Sequence, residues 1–302
     1  MSIQEQPVLA SAQLAGLGLS GQASRARLAR LWALVRQRPG LSLAAAFVLV
    51  LLLAALVPDW LVSADPLAAN ARQAFMAPSA AHWLGTDENG RDVLARLVHG
   101  VRPSLLMGLL ATVIGLTLGI ALGLLAGLGQ RWLDSLVMRV VDMLLAFPDL
   151  LLALVIITFW GQGMLNAIVA VGIASVPRFA RMVRAQTQVV RDAGYVESAI
   201  TLGLSRSQVI VRHVLPNAIK PILILATIGI GSNIAAGASL SFLGFGAPPP
   251  SPEWGAMLSV GRNFLGNAWW LVAAPGVAIT LTVLAITALG RALLRQSEGK
   301  GL

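Results

Sequence analysis

Long apolar runs alternate with short polar segments along this chain. Six runs reach or approach the roughly 20 residues that cross a bilayer as helix: Leu41–Val62, Ser104–Leu128, Val137–Phe159, Met164–Val176, Pro221–Phe245 and Trp269–Leu294. The fourth is short unless its helix continues into the bilayer edge, and five spans result if the third and fourth form one re-entrant pair. A long basic, amphipathic interruption, residues 178–220, divides the fourth run from the fifth. Within it Tyr195, Ala199 and Leu202 recur at helical spacing, Gly203 permits a break, and Ser205 can cap a second helix through Val214. Leu215-Pro216 then ends that helix before the fifth span begins. Two short helices with a bend suit a docking surface for a soluble partner. The same spacing also fits an amphipathic segment resting on lipid headgroups.

Composition agrees with the membrane reading. The chain is 57% hydrophobic and 12% charged, where soluble domains carry about 25% charged residues. The net charge of +9 raises nucleic acid as a partner, but the arginines sit in loops beside apolar runs and no soluble basic domain exists to carry such binding. The two most basic segments fall on one side of a six-span arrangement, while the loop 64–103 balances its four arginines with Asp65, Asp87, Glu88 and Asp92 and the loop 246–266 holds only Arg262. Arg25, Arg27, Arg30, Arg36 and Arg38 precede the first span, and Arg178, Arg181, Arg184, Arg191, Arg206, Arg212 and Lys220 fill the long insert. That side is the cytoplasm by the positive-inside rule, with both termini there. The expected division is a tail over 1–40, a first transmembrane helix over 41–63 and an external loop over 64–103. A core of five spans over 104–295 carries the insert, and a tail over 296–302 follows. The arginine-bearing lead is longer than an ordinary signal n-region, so the first span reads as a retained anchor. With no cysteine, disulfides and thiolate chemistry are out. Lys220 and Lys300, the only lysines, lack the glycine spacing of a phosphate loop. No resident cofactor is expected.

Several local patterns have two readings each. Gly115, Gly119, Gly123 and Gly127 line one helix face and admit a close helix neighbour; that neighbour belongs either to this chain or to a partner or pathway. Asp142 and Asp149 sit in the third run, where ionisable groups at membrane depth usually face protein or water. Alternatively Arg139 and Asp142 pair near the surface, and Pro148 marks a helix start that leaves Asp149 in the interface. In the external loop, Gly85 and Gly90 allow tight turns, Thr86 or Asp87 can cap a helix, and Arg91 and Asp92 can hold the loop by ion pairing. His82, His99 and these carboxylates lack metal-ligand spacing, so neither a metal nor a catalytic site is assigned. The Gly18-Leu19-Ser20-Gly21 tetrapeptide precedes every span and has no buried base. The proline-rich stretch 248–252 forms a rigid outer loop, with Trp254, Trp269 and Trp270 as interface anchors.

The insert resembles the membrane subunit of bacterial ABC importers. That family's hallmark is Glu-Ala-Ala, three residues, Gly, nine residues, Ile, one residue, Leu-Pro. Here Glu197-Ser198-Ala199, Gly203 and Leu215-Pro216 keep the register, with Ser198 and His213 as departures. Leu84-Gly85-Thr86-Asp87, Gly90-Arg91-Asp92, Ser239–Gly244 and Pro249–Gly255 are similar to the C-type permease of dipeptide and oligopeptide importers, a group that includes nickel and glutathione systems. Gly237 and arginines 291 and 295 stand where, or near where, many members carry acids. The resemblance implies an all-α integral membrane protein with six transmembrane helices and the type I importer permease fold, multi-pass in the bacterial inner membrane. It implies a second homologous permease, two ATP-binding subunits and an external solute-binding protein as partners. ATP is then bound by the partners. The bent insert is then a coupling helix, with Glu197, Ser198, Ala199, Gly203, Leu215 and Pro216 at the joint. A self-sufficient secondary transporter is the competing class, against which deep charges are scarce and no inverted repeat is apparent. A membrane enzyme would need a nucleophile or metal set that the sequence does not offer.

Overall fold

A computed structural model describes residues 38–297. The described residues are helical throughout apart from turns, short 3-10 segments and one isolated bridge between Thr86 and Asp92. The principal helices are α1 (Pro39–Leu56), α2 (Val93–His99), α3 (Val101–Leu128), α4 (Arg131–Leu145), α5 (Asp149–Trp160) and α6 (Met164–Arg191). They continue as α7 (Gly194–Thr201), α8 (Arg206–Val209), α9 (Leu215–Phe242), α10 (Trp254–Gly261) and α11 (Trp270–Ser297). Five helical stretches are long and apolar enough to cross a membrane, and the bent pair α4–α5 makes a sixth if it counts as one span. The N-terminal arginines up to Arg36, the Gly18–Gly21 tetrapeptide and Lys300 lie outside the described residues.

Four span boundaries differ from the sequence reading. The third run is two helices bent by 94° at Ala146–Pro148, so the break falls inside that run and not between the third and fourth. Pro148 caps α5 from outside and cannot continue α4. The fourth run does not stop at Val176: α6 passes through Pro177 to Arg191, so about a third of the 178–220 insert continues that span as helix. Its arginines are held there by aspartates of the bent pair. The fifth span starts at Leu215, with Pro216 inside its first turn. Leu215-Pro216 therefore does not end the second helix of the insert. A π turn over Ile210–Val214 joins α8 directly to α9; its widened hydrogen-bond pattern accommodates a residue that has no N–H to give. At the first span, Val57-Pro58 stops α1 short of Val62.

The core is built on the α3–α6 pair. Gly115, Gly119, Gly123 and Gly127 are all buried and face Ser175, Phe179, Val183 and Thr187 of α6 in turn. A Cβ at Gly123 would stand 2.6 Å from the Ala180 carbonyl and the Val183 Cβ, so only glycine admits this approach. α9 packs across both helices, and α11 lies against α9 at Gly290, where a Cβ would stand 2.6 Å from Thr227 Oγ1. A main apolar cluster joins Met107 and Ala111 of α3, Ala153 and Ile157 of α5, Ile168 and Val171 of α6, and Leu240 of α9. Met107 also occupies the space where a side chain at position 237 would go, which gives Gly237 a packing reason. α1 is attached lightly, burying only Leu51 and Ala54.

Candidate functional site

The insert folds as an elbow. α7 carries Glu197 and Ser198 on its exposed side and buries Val196 and Ala199. Together with Val190, Val209, Val214 and Ala218 these form a small apolar cluster against Leu128 and Leu204. Gly203 turns the chain with φ +87°, a conformation that side-chain-bearing residues avoid. Ser205 then caps α8 with a reciprocal capping box to Gln208: the Ser205 N–H donates to Gln208 Oε1 at 3.0 Å. Arg191 and Arg206 donate to the last carbonyls of α3, Gly127 and Leu128, at 3.0 and 3.2 Å. Those carbonyls have no partner within their own helix, so the elbow is fastened to the end of the core pair. Beyond the fastened face, Tyr195, Ile200 and Leu202 stand exposed, Leu202 at 81%. Leu215 is half-buried and Pro216 exposed, both in the first turn of α9.

A second feature went unread in the sequence. Arg178, Arg181 and Arg184 recur every third residue on α6 and meet Asp149, Asp142 and Asp134 respectively. Arg184 grips Asp134 with two nitrogens, Nη2 at 2.6 Å. Asp142 thus pairs with Arg181 rather than Arg139, because the bend turns α4 back along α6. Arg178 lies 3.6 Å from Asp149 and also reaches Asn233 Oδ1 at 3.4 Å; Asn233 in turn donates to Thr112 at 2.9 Å. A charged residue that read as the start of the insert is therefore tied into the middle of the bundle.

The external signature residues converge on one cap at the other end. Asp87 accepts the backbone N–H of Asn89 and Arg91, and Arg91 Nε at 2.6 Å. Arg91 also pairs with Glu88 at 2.6 Å, and Arg96 approaches Asp87 at 3.4 Å. Thr86 accepts from Met76 N and donates to Gln73 O. Gly85 and Gly90 turn with φ +74° and +72°. Neither Thr86 nor Asp87 caps a helix: Asp92 caps α2 through Ala95 N and binds His82 Nδ1 at 2.8 Å. Arg96 reaches Pro66 O and Pro250 O, both at 3.2 Å, so it joins the two outer loops. Glu253, buried, caps α10 through Gly255 N and Ala256 N at 2.8 Å each. Burial pushes its carboxyl above the usual range, against the opposing pull of those two N–H donors. Trp254 is a core residue at 1% exposure, not an interface anchor; its indole donates to Leu97 O at 2.9 Å. No cluster of three or more metal-ligating side chains occurs among the described residues.

A bundle of membrane-crossing helices with a fastened elbow at one end and a rigid cap at the other defines a multi-pass transport subunit. The chain belongs to the family described as binding-protein-dependent transport system inner membrane component, which matches residues 119–299. It is 44% identical over 216 residues to the glutathione transport system permease protein GsiD of Pectobacterium atrosepticum, covering 72% of each chain. It is 41% identical over 254 residues to the dipeptide transport system permease protein DppC of Alkalihalophilus pseudofirmus, covering 84% of this chain and 82% of that one. Among solved structures, an inward-facing MetNI methionine ABC transporter matches with a TM-score of 0.57 at 21% identity, over 67% of this chain and 95% of the other. These findings make the chain an inner-membrane permease subunit of an ABC importer.

Proposed function

We propose that this permease pairs with a second, homologous permease to form the pathway for a peptide or similar small solute. Relatives named for glutathione and dipeptide transport support that cargo class. On this reading the chain is non-catalytic. Two ATP-binding subunits dock on the cytoplasmic elbow, and a solute-binding protein delivers cargo to the external cap. The observation that carries the proposal is the two-sided elbow. One face, Val196 and Ala199, is locked into the chain's own core, while Ile200 and Leu202 are presented outward. A free apolar tip on a fastened base is what a force-receiving joint requires. Glu197, Ser198, Ala199 and Gly203 shape the contact, and the π turn before Leu215-Pro216 carries motion into α9. Closure of the ATPases then moves elbow and spans together between two states.

Reconstitution tests this. The chain alone in vesicles is expected to move no solute under a proton or sodium gradient. With the permease, ATPase and binding protein that copurify with it, uptake requires ATP. Gradient-driven accumulation by the chain alone would overturn the reading.

A further inference from the structure

The three arginine–aspartate pairs of α6 are not alike. Arg184 grips Asp134 with two nitrogens, and Arg181 is hydrogen-bonded to Asp142. Arg178 is the loose member. Its nearest approach to Asp149 is 3.6 Å, beyond hydrogen-bond length, and the hydrogen bond it gives to Asn233 Oδ1 is long at 3.4 Å. A guanidinium carries five N–H donors in a planar fork, so among the described residues most of this fork is unused. Its place is nevertheless set. Asn233 and Thr112 are both buried, and Asn233 is held by its bond to Thr112 at 2.9 Å.

Depth is the second observation. Asn233 lies nine residues before the end of α9, and Thr112 eleven residues into α3. These are about 14 and 17 Å of helix from the cap end, near half of a ~30 Å hydrocarbon layer. The Arg178 guanidinium is at that level because it reaches Asn233. Its side chain is 34% exposed there, and that of Asp149 50%. Charges at this depth face protein or water rather than acyl chains. On the permease reading above, on which this inference rests, the exposed side of the pair is the water-filled pathway.

We propose that Arg178 and Asp149 form the cargo contact of this subunit and recognise a zwitterion. A terminal carboxylate takes the open fork of Arg178 in a two-pronged, charge-assisted bond. The terminal ammonium of the same molecule goes to Asp149. Between cargoes the two side chains neutralise each other, so no lone charge is left at mid-bilayer. A pair held at 3.6 Å loses little when a zwitterion takes its place. Small peptides with free termini are the matching class, whatever their side chains.

The test uses the full-length chain with the permease and ATPases that copurify with it, in nanodiscs and without the binding protein. Saturation-transfer NMR measures the affinity of alanyl-alanine, of its C-terminal amide and of its N-acetyl form. Each blocked form is expected to bind roughly tenfold more weakly than the free dipeptide, the effect of one hydrogen-bonded charge. Arg178→Gln should bring the free dipeptide down to the level of the amide and leave the affinity of the amide unchanged. Asp149→Asn, at a half-exposed position, should bring it down to the level of the N-acetyl form, and carries the test alone if Arg178→Gln fails to assemble. Equal affinities for the three probes in the unmodified complex, or no saturable binding of any, would overturn the proposal. So would a variant that weakens all three alike, which is the mark of a purely structural pair. The ATP-dependent uptake described above separates the two readings. Uptake that persists while the termini go unrecognised here overturns this site alone; absence of uptake overturns the permease reading and this site with it.

Discussion

At Gly203 nothing lies within 4 Å of the place where a Cβ would stand, yet the backbone sits at φ +87°. A substitution there is penalised by backbone conformation alone, on the order of 1–2 kcal/mol for an ordinary L-residue. Asparagine, which tolerates this region, should keep most coupled uptake, alanine less, and valine least. The readout is the ratio of transport to ATP hydrolysis with membrane insertion unchanged; full coupling in Gly203→Val would contradict the role given to the bend. Glu253 offers a residue-scale test at the opposite end. Glu253→Ala leaves the Gly255 and Ala256 N–H groups without their acceptor and should cost roughly 1–3 kcal/mol of thermal stability. Because burial raises the folded carboxyl above its unfolded value, its contribution is fully present below the unfolded value and is lost as pH rises through the folded one. The cap should therefore tolerate mild acid, and Glu253→Gln should flatten that pH dependence in a thermal melt.

At the scale of elements, two joints decide the architecture: the glycine face between α3 and α6, and the arginine–aspartate ladder that pins the bent pair to α6. Gly123→Val places atoms where Ala180 O and Val183 already stand, an overpacking that typically costs 1–3 kcal/mol or more. It should lower the yield of folded subunit in a detergent-solubility assay, whereas Leu122→Val on the exposed side of α3 should not. In the ladder, Asp134→Arg puts two cations together and should loosen α4, seen as faster proteolysis near Gln130. Combining it with Arg184→Asp should restore protection; no restoration would mean the pair is incidental. Exposed ion pairs contribute only about 0–1 kcal/mol, so the expected effect is on the placement of α4 more than on global stability. These joints also mark where sequence patterns were legible. The glycine spacing showed a close helix face, and Pro148 showed a helix start. The extension of α6 through Arg178, Arg181 and Arg184 was hidden, because charge read locally as a loop and the neutralising aspartates lie 29 to 50 residues away. Glu253, paired with Ser104 across 149 residues, was equally invisible to local pattern.

For the whole molecule, the apolar runs carried the membrane class and most of the span count, since bilayer thickness imposes a length that sequence displays directly. What they did not carry is how the two ends are built. The cap draws Asp87, Arg91, Arg96 and the backbone of the loop after α9 into one rigid body. The elbow rests on the end of the core pair through Arg191 and Arg206. A bundle held rigidly at both ends can transmit a displacement applied at one of them, which is the central claim here. The chain has no cysteine, so Leu202→Cys introduces a unique thiol at the exposed tip of the elbow. Site-specific crosslinking from that thiol in native membranes, with and without ATP, tests the claim most directly. Capture of an ATP-hydrolysing subunit, with a yield that changes with nucleotide, is the predicted result; crosslinks to phospholipid alone in both conditions would contradict it.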